Sequence, residues 1–264
     1  MKRIIIILMW VILIAGVGVL IAFIQKQQDA VICKNQSVLI KYDSDDYFIT
    51  ESDIWDYLSG KGYKLKDNSL AEINSNDIES ALNEIPYVEK ADVSTNIEGD
   101  IEIKIKQRRP LVKVINKFNQ SYYIDDKGFL MPGSEKYSAR LLVANGNIDN
   151  YYAPKIKLDV NDSLSADSNI MKTAAYKVFR IAQFIDKDEF WKAMIEEIYV
   201  NTKGEMELFT KIGDAVVIFG NIDNMEEKFN NLLVFYKKGL NKIGWSKYKK
   251  INLKYKNQVV CSKT

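Results

Sequence analysis

Histidine is absent from the 264 residues, cysteine occurs twice and proline four times. Without an imidazole, Ser-His and Cys-His nucleophilic arrangements and the usual zinc ligand sets are excluded. The two thiols, Cys33 and Cys261, stand 228 positions apart with no CxxC or metal spacing, so two unpaired small apolar residues are expected. Gly16 and Gly18 lie inside an apolar run rather than between a strand and a helix, which excludes a dinucleotide fingerprint. The acid pairs Asp45–Asp46 and Asp125–Asp126 are expected to be solvated loop acids rather than acid–base or calcium groups. These absences predict a protein that is not an enzyme and that uses no cofactor and no metal.

What is present begins with Ile4 to Ile24, 21 residues without a charge, fifteen of them Ile, Leu, Val or Phe. As a helix at 1.5 Å per residue the run is about 31 Å long, against a bilayer core of roughly 30 Å. Lys2 and Arg3 precede it, so the positive-inside rule places the N-terminus in the cytoplasm and everything after Gln25 outside. A cleaved signal peptide has a shorter apolar region and a small-x-small site, whereas this run leads into Gln25, Lys26, Gln27 and Gln28. The expectation is a cytoplasmic tail at 1–3, an uncleaved single-pass transmembrane helix at 4–24 and a polar connector at 25–35.

Residues 36–107 read as strand, helix, helix, strand, strand. Val38, Ile40 and Tyr42 alternate; Thr50 and Asp53 are a capping pair before Ile54, Trp55 and Leu58. Ile78, Ala81, Leu82 and Ile85 share one helical face, with Asn76 and Glu79 as the expected cap and Pro86 as the stop. Ala91 and Val93, then Ile101, Ile103 and Ile105, alternate with polar residues around a turn at Gly99.

Residues 108–264 predict a β-rich domain with two helices. Strands are expected at Val112–Ile115, Tyr122–Ile124, Leu141–Ala144, Ile195–Val200, Met206–Phe209 and Ala215–Phe219. One helix follows from the stripe Ile170, Met171, Ala174, Ala175, Val178, Ile181, Ala182 and Ile185. The other begins at an Asp223–Glu226 capping box and carries Met225, Phe229, Leu232, Leu233 and Tyr236. Tyr248 to Val260 alternates weakly and is expected to close the domain as a strand or hairpin. The fold class expected is α+β.

Charge is informative in its distribution. From Lys228 to Thr264 there are ten Lys and no Asp or Glu, a cationic end on an acidic body. Nucleic acid is a poor match, since no binding motif accompanies the lysines and the compartment is wrong. A terminal strand exposes unpaired backbone groups, and Lys247, Lys249, Lys250, Lys254 and Lys256 suit either protection of such an edge or recognition by it.

IPYVEKADV followed by GDIEIKIKQRRPLVKV, then YYIDDKGFLMP and INLKYKNQVV, together resemble the bacterial cell-division family FtsQ/DivIB, and the resemblance spans nearly the whole chain. The Lys-, Asn-, Tyr- and Ile-rich composition is of a Bacteroidota-like kind. The resemblance implies a single membrane helix, a POTRA-like domain at 36–107 and an FtsQ-type β domain after it. It also implies a non-enzymatic scaffold of the inner (plasma) membrane at the division septum, linking early and late division proteins and septal peptidoglycan synthesis through FtsB/FtsL-like partners. The family's final strand meets the FtsB partner, which by position designates Lys254, Tyr255, Asn257, Gln258, Val259 and Val260. The rival reading is a membrane-anchored extracytoplasmic sensor or peptidoglycan-binding protein.

Overall fold

The computed structural model describes residues 9–10, 12–18, 31–43, 45–134, 140–154, 156–158, 170–240 and 244–263. The expected membrane helix at 4–24 lies largely outside the described residues. Among those that are described, no helix is long and apolar enough to cross a membrane. Contacts divide the chain into two units, Met1–Asp43 with Ile49–Gln107, and Ser44–Phe48 with Arg108–Thr264.

The first unit contains β1 (Asn35–Lys41), α1 (Glu51–Gly60), a 3-10 turn at Leu70–Glu72, α2 (Ser75–Leu82), β2 (Val88–Thr95) and β3 (Asp100–Gln107). Its sheet has the order β1-β3-β2, with β1 parallel and β2 antiparallel to the central strand. Alternation along β3 buries Ile101, Ile103 and Ile105 against Ile54, Leu58, Ile78 and Leu82 of the helices. Thr50 caps α1 through a reciprocal box: its amide donates to Asp53 Oδ2 at 2.9 Å and Asp53 N donates to Thr50 Oγ1 at 3.4 Å.

The second helix departs from expectation at both ends. Its cap is Asn74, whose side chain accepts from Asn76 N at 3.1 Å, not the Asn76–Glu79 pair. Glu79 is drawn away because its carboxylate accepts Val93 N of β2 at 2.8 Å. The helix ends at Leu82, before the proline takes effect, and Asn83 turns its side-chain oxygen to Ala91 N at 2.9 Å. The polar connector is also less free than its composition implies. Cys33 is fully buried, and its amide donates to Asn68 O at 2.9 Å. Gly99 has φ 100°, as its turn requires, and a Cβ there would meet Ile32 O at 2.5 Å.

The second unit is a nine-stranded mixed sheet covered by helices. Its strands are β4 (Pro110–Ile115), β5 (Ser121–Asp125), β6 (Leu130–Pro132), β7 (Leu142–Gly146), β8 (Ile195–Val200), β9 (Met206–Thr210), β10 (Val216–Gly220), β11 (Lys250–Asn252) and β12 (Val260–Ser262). They are ordered β12-β11-β10-β9-β8-β7-β4-β5-β6. Three helices among the described residues accompany them, rather than two: α3 (Ala174–Asp186), α4 (Glu189–Met194) and α5 (Met225–Phe235). The additional one, α4, is too short to show periodicity, and its start is fixed locally by Asp188, whose carboxylate accepts the amides of Phe190 and Trp191. The Asp223–Glu226 box does not form. Asn224 stands at the cap with φ 51° and makes no side-chain cap bond, while Asp223 accepts from Asn221 Nδ2.

Within YYIDDKGF, Tyr122–Asp125 complete β5 and Asp125–Phe129 form a structural turn. Asp125 accepts Lys127 N at 2.9 Å and Phe129 N at 2.7 Å and pairs with Arg108 at 3.0 Å, while Gly128 takes φ 82°. Asp126 pairs with Arg109, which also grips Asp186 at the end of α3 through two bonds of 3.1 and 2.8 Å. Burial pushes the Asp125 carboxyl upward, and backbone amides with Arg108 oppose that shift. Both carboxylates of this pair are committed to arginines, so neither is a solvated loop acid.

The core closes around Phe229 of α5, which is 1% exposed. Its ring centroid lies 4.3 Å from Phe184 of α3, and 5.0 Å from both Trp191 of α4 and Phe219 of β10. Aromatic burial of this kind contributes both area and edge or stacking contacts. Phe229→Ala is expected to destabilise the second unit by about 3 to 5 kcal/mol, measured as a shift of the urea midpoint followed by Trp fluorescence.

Candidate functional site

The C-terminal end of the second sheet brings the cationic segment to a strand edge. Burial of Ile251 and Leu253, 1% and 3% exposed, seats β11 beside β10 in parallel. Val216 N donates to Lys249 O and Leu253 N to Ile218 O, each at 2.9 Å. Backbone groups of successive strand residues turn to opposite sides, so Lys250 and Asn252 turn theirs toward β12. Their antiparallel partners Ser262 and Val260 therefore turn inward, and Cys261 presents its amide and carbonyl to the outer side. No described strand pairs with that side, because β12 ends the sheet.

The expected closing strand is thus interrupted. Asn252 Oδ1 accepts Lys254 N at 2.9 Å, and Asn257 adopts φ 57°, so residues 253–259 form a loop between two three-residue strands. Of the six designated residues, Lys254, Tyr255, Asn257, Gln258 and Val259 lie in this loop. Val260 alone is on a strand. The weak alternation of the sequence concealed the break, since an Asx turn and one left-handed Asn leave no signature in hydrophobic period.

The loop side chains fall into two groups. Lys254 turns inward: its ammonium pairs with Glu205 at 2.5 Å and its stem crosses Gly220, where a Cβ would approach Lys254 Cγ to 2.8 Å. Tyr255 and Val260 turn outward, 52% and 43% exposed. Lys256 and Gln258 are also exposed, and Val259 packs partly against the core. The lysine side chains are likewise not equivalent. Lys249 pairs with Asp214 at 3.2 Å. Burial lowers the Lys228 ammonium pKa; the group lies 5.0 Å from the Phe219 ring centre and donates to Asn221 O at 2.7 Å.

Sequence reasoning missed a groove of about 380 Å³ beside the loop. Asn231, Val234 and Phe235 of α5, with Lys238 in the π turn that continues it, face Asn257 and Val259 across it. One signal was available. Val234 is 44% exposed and falls off the buried stripe of α5, an apolar residue with no core position to fill.

Residues 109–262 match the family model described as FtsQ/DivIB, C-terminal related. The chain belongs to the FtsQ/DivIB family. Residues 31–106 match the model of a POTRA-like domain, so both units of this FtsQ/DivIB protein are accounted for. No curated protein matches the chain. In this FtsQ/DivIB chain the described C-terminal segment is a short edge strand with a cationic loop before it and a groove alongside.

The Lys254–Glu205 pair gives a pH signature. Hydrogen bonding to Lys254 lowers the Glu205 pKa, so the pair's stabilisation is present above the ordinary glutamate range and lost as pH falls through the depressed folded value. Lys254→Ala is expected to cost less than about 1 kcal/mol at neutral pH, as for other largely exposed pairs. Urea unfolding should show that difference vanish at acid pH; a difference that persists below the carboxylate range would rule the pair out as its source.

Proposed function

We propose that the chain is a non-enzymatic division scaffold. In this reading Ile4–Ile24 anchors it in the plasma membrane with the N-terminus in the cytoplasm, and residues 36–107 and 108–264 act outside as POTRA-like and β domains. An FtsB/FtsL-like partner adds an extended segment beside β12. The observation that carries the reading is the outer side of β12, which has open backbone groups at Cys261, exposed Tyr255 and Val260 at its margin and an adjoining groove.

Lys254, Tyr255, Asn257, Gln258, Val259 and Val260 divide into roles on this reading. Tyr255 and Val260 supply exposed apolar contact, while Asn257, Gln258 and Val259 border the groove. Lys254 holds the loop through Glu205, the last residue of the turn that leads into β9. Steering of an acidic partner falls mainly to Lys256, whose ammonium is not engaged as that of Lys254 is. Exposed charges act chiefly on association rate and its salt dependence.

Binding of the purified full chain to an FtsB-like extracytoplasmic region should separate these roles. Cys261→Pro removes the outward amide without touching a bond to β11 and is expected to weaken binding at least tenfold, while Cys261→Ala, which loses the packed thiol alone, is expected to keep it. Lys256→Glu should slow association several-fold at low salt and little at high salt, with Lys254→Glu also loosening the loop. Unchanged affinity in Cys261→Pro rejects strand addition at β12. A fluorescent fusion forming a mid-cell band supports the division role, and an even membrane halo favours the sensor reading.

A further inference from the structure

The first unit has its own open strand edge, and its two edges are treated differently. On β2 the outward amides are occupied by side chains of the α2 segment: Ala91 N donates to Asn83 and Val93 N to Glu79. On β1 the cover stops early. Lys34 N donates inward to Gly99 O at 2.8 Å, whereas Cys33 N donates outward to Asn68 O and Cys33 O accepts Asp67 N. Leu70 N continues that cover at Val31 O. Ala91 and Val93 turn outward on β2, so Ile101, Ile103 and Ile105 of β3 turn toward β1 and bond to Asn35, Ser37, Leu39 and Lys41, leaving the amides and carbonyls of Gln36, Val38 and Ile40 turned outward. Beyond Cys33 no described segment meets them.

Beside this bare edge lies a groove of about 300 Å³ between β1 and α1. Leu58 and Leu65 form its floor, half-buried Trp55 and Tyr63 its walls, and Lys64 and Lys66 its rim, with no carboxylate among the lining residues. Gln36 on β1 faces into it from the strand. On the opposite face of the same strand Leu39 is 53% exposed.

We propose that the outer edge of β1 receives an extended segment of a protein partner, rich in acidic residues alternating with apolar ones, as a fourth strand of the sheet. Main-chain bonds to Gln36, Val38 and Ile40 supply registry. Alternate side chains of the added strand enter the groove at Trp55 and Tyr63 or cover Leu39 on the other face. Two lysines without a lining acid select carboxylates and disfavour a second copy of this cationic rim. This surface is independent of β12 and its partner.

The test uses the full chain in detergent and a fluorescein-labelled peptide of about eight residues in which Glu alternates with Val and Phe. Anisotropy should report binding, and hydrogen exchange should slow at the amides of Val38 and Ile40. Gln36→Pro, which deletes one outward donor without touching a bond to β3, is expected to weaken binding at least tenfold. Lys64→Glu with Lys66→Glu should weaken it several-fold and confer binding of the same peptide with Lys in place of Glu. That charge swap stands independently if the proline variant fails to fold. The proposal is overturned by no binding at millimolar peptide, or by binding without protection at Val38 and Ile40. It is also overturned by binding that both variants leave unchanged, or by self-association through this edge in place of peptide binding. Since Cys261 and Lys256 are untouched, loss of FtsB-like binding in their variants leaves this result unaffected.

Discussion

The edge at β12 depends on the burial of one ring. Phe229 is held by Phe184, Trp191 and Phe219, so three helices and strand β10 are fixed to a single aromatic cluster. β10 is the template on which β11 lies, and β11 is the template for β12. The same ring sets α5, whose Val234 and Phe235 form one wall of the groove. A three-residue strand has little stability of its own. Its position is therefore inherited from the core through β11, where Ile251 and Leu253 contribute the apolar contacts that a longer ladder would otherwise supply.

Tight packing carries that dependence outward because interiors do not deform smoothly. Gly220 illustrates the point at the margin of the core. With φ 79° and the Lys254 stem against it, it packs the end of β10 against the loop at 253–259. Lys254, placed by sequence among contact residues, thus reaches its position partly as a brace. The Glu205 carboxylate holds its ammonium, and the Asn252 side-chain oxygen accepts its amide.

Elements with strong period were legible in the sequence, and elements made by side-chain capture were not. The isoleucines of β3 and the stripe of α3 declare their faces because each is half-buried over many residues. Asn74, Glu79 and Asn83 carry no such pattern: which of them caps the helix and which plugs β2 depends on where β2 lies, a tertiary fact. The candidate site was legible as a composition, ten lysines without an acid, and not as a geometry. An Asx turn at Asn252 and a left-handed Asn257 divide it, and pairing with Glu205 and Asp214 removes part of its charge.

The pattern of sealing separates edge protection from edge recognition better than lysine content does. In the second sheet the far edge, β6, is covered: Leu130 N donates to Ile156 O, Leu158 N donates to Gly128 O, and Pro132 ends the strand. In the first sheet β2 is plugged by Asn83 and Glu79. Each unit closes one edge with protein groups and leaves the other bare, although charged residues alone could have defended both. Burying Glu79 and Asn83 oxygens against backbone amides spends side chains that could otherwise remain solvated. A chain that invests in closing β2 while leaving the outer edge of β1 open at Gln36, Val38 and Ile40, next to Trp55 and Tyr63, distinguishes the two edges chemically. Lysines at an open edge then act as a filter, repelling strands of like charge and admitting acidic ones, which reconciles solubility with selective pairing.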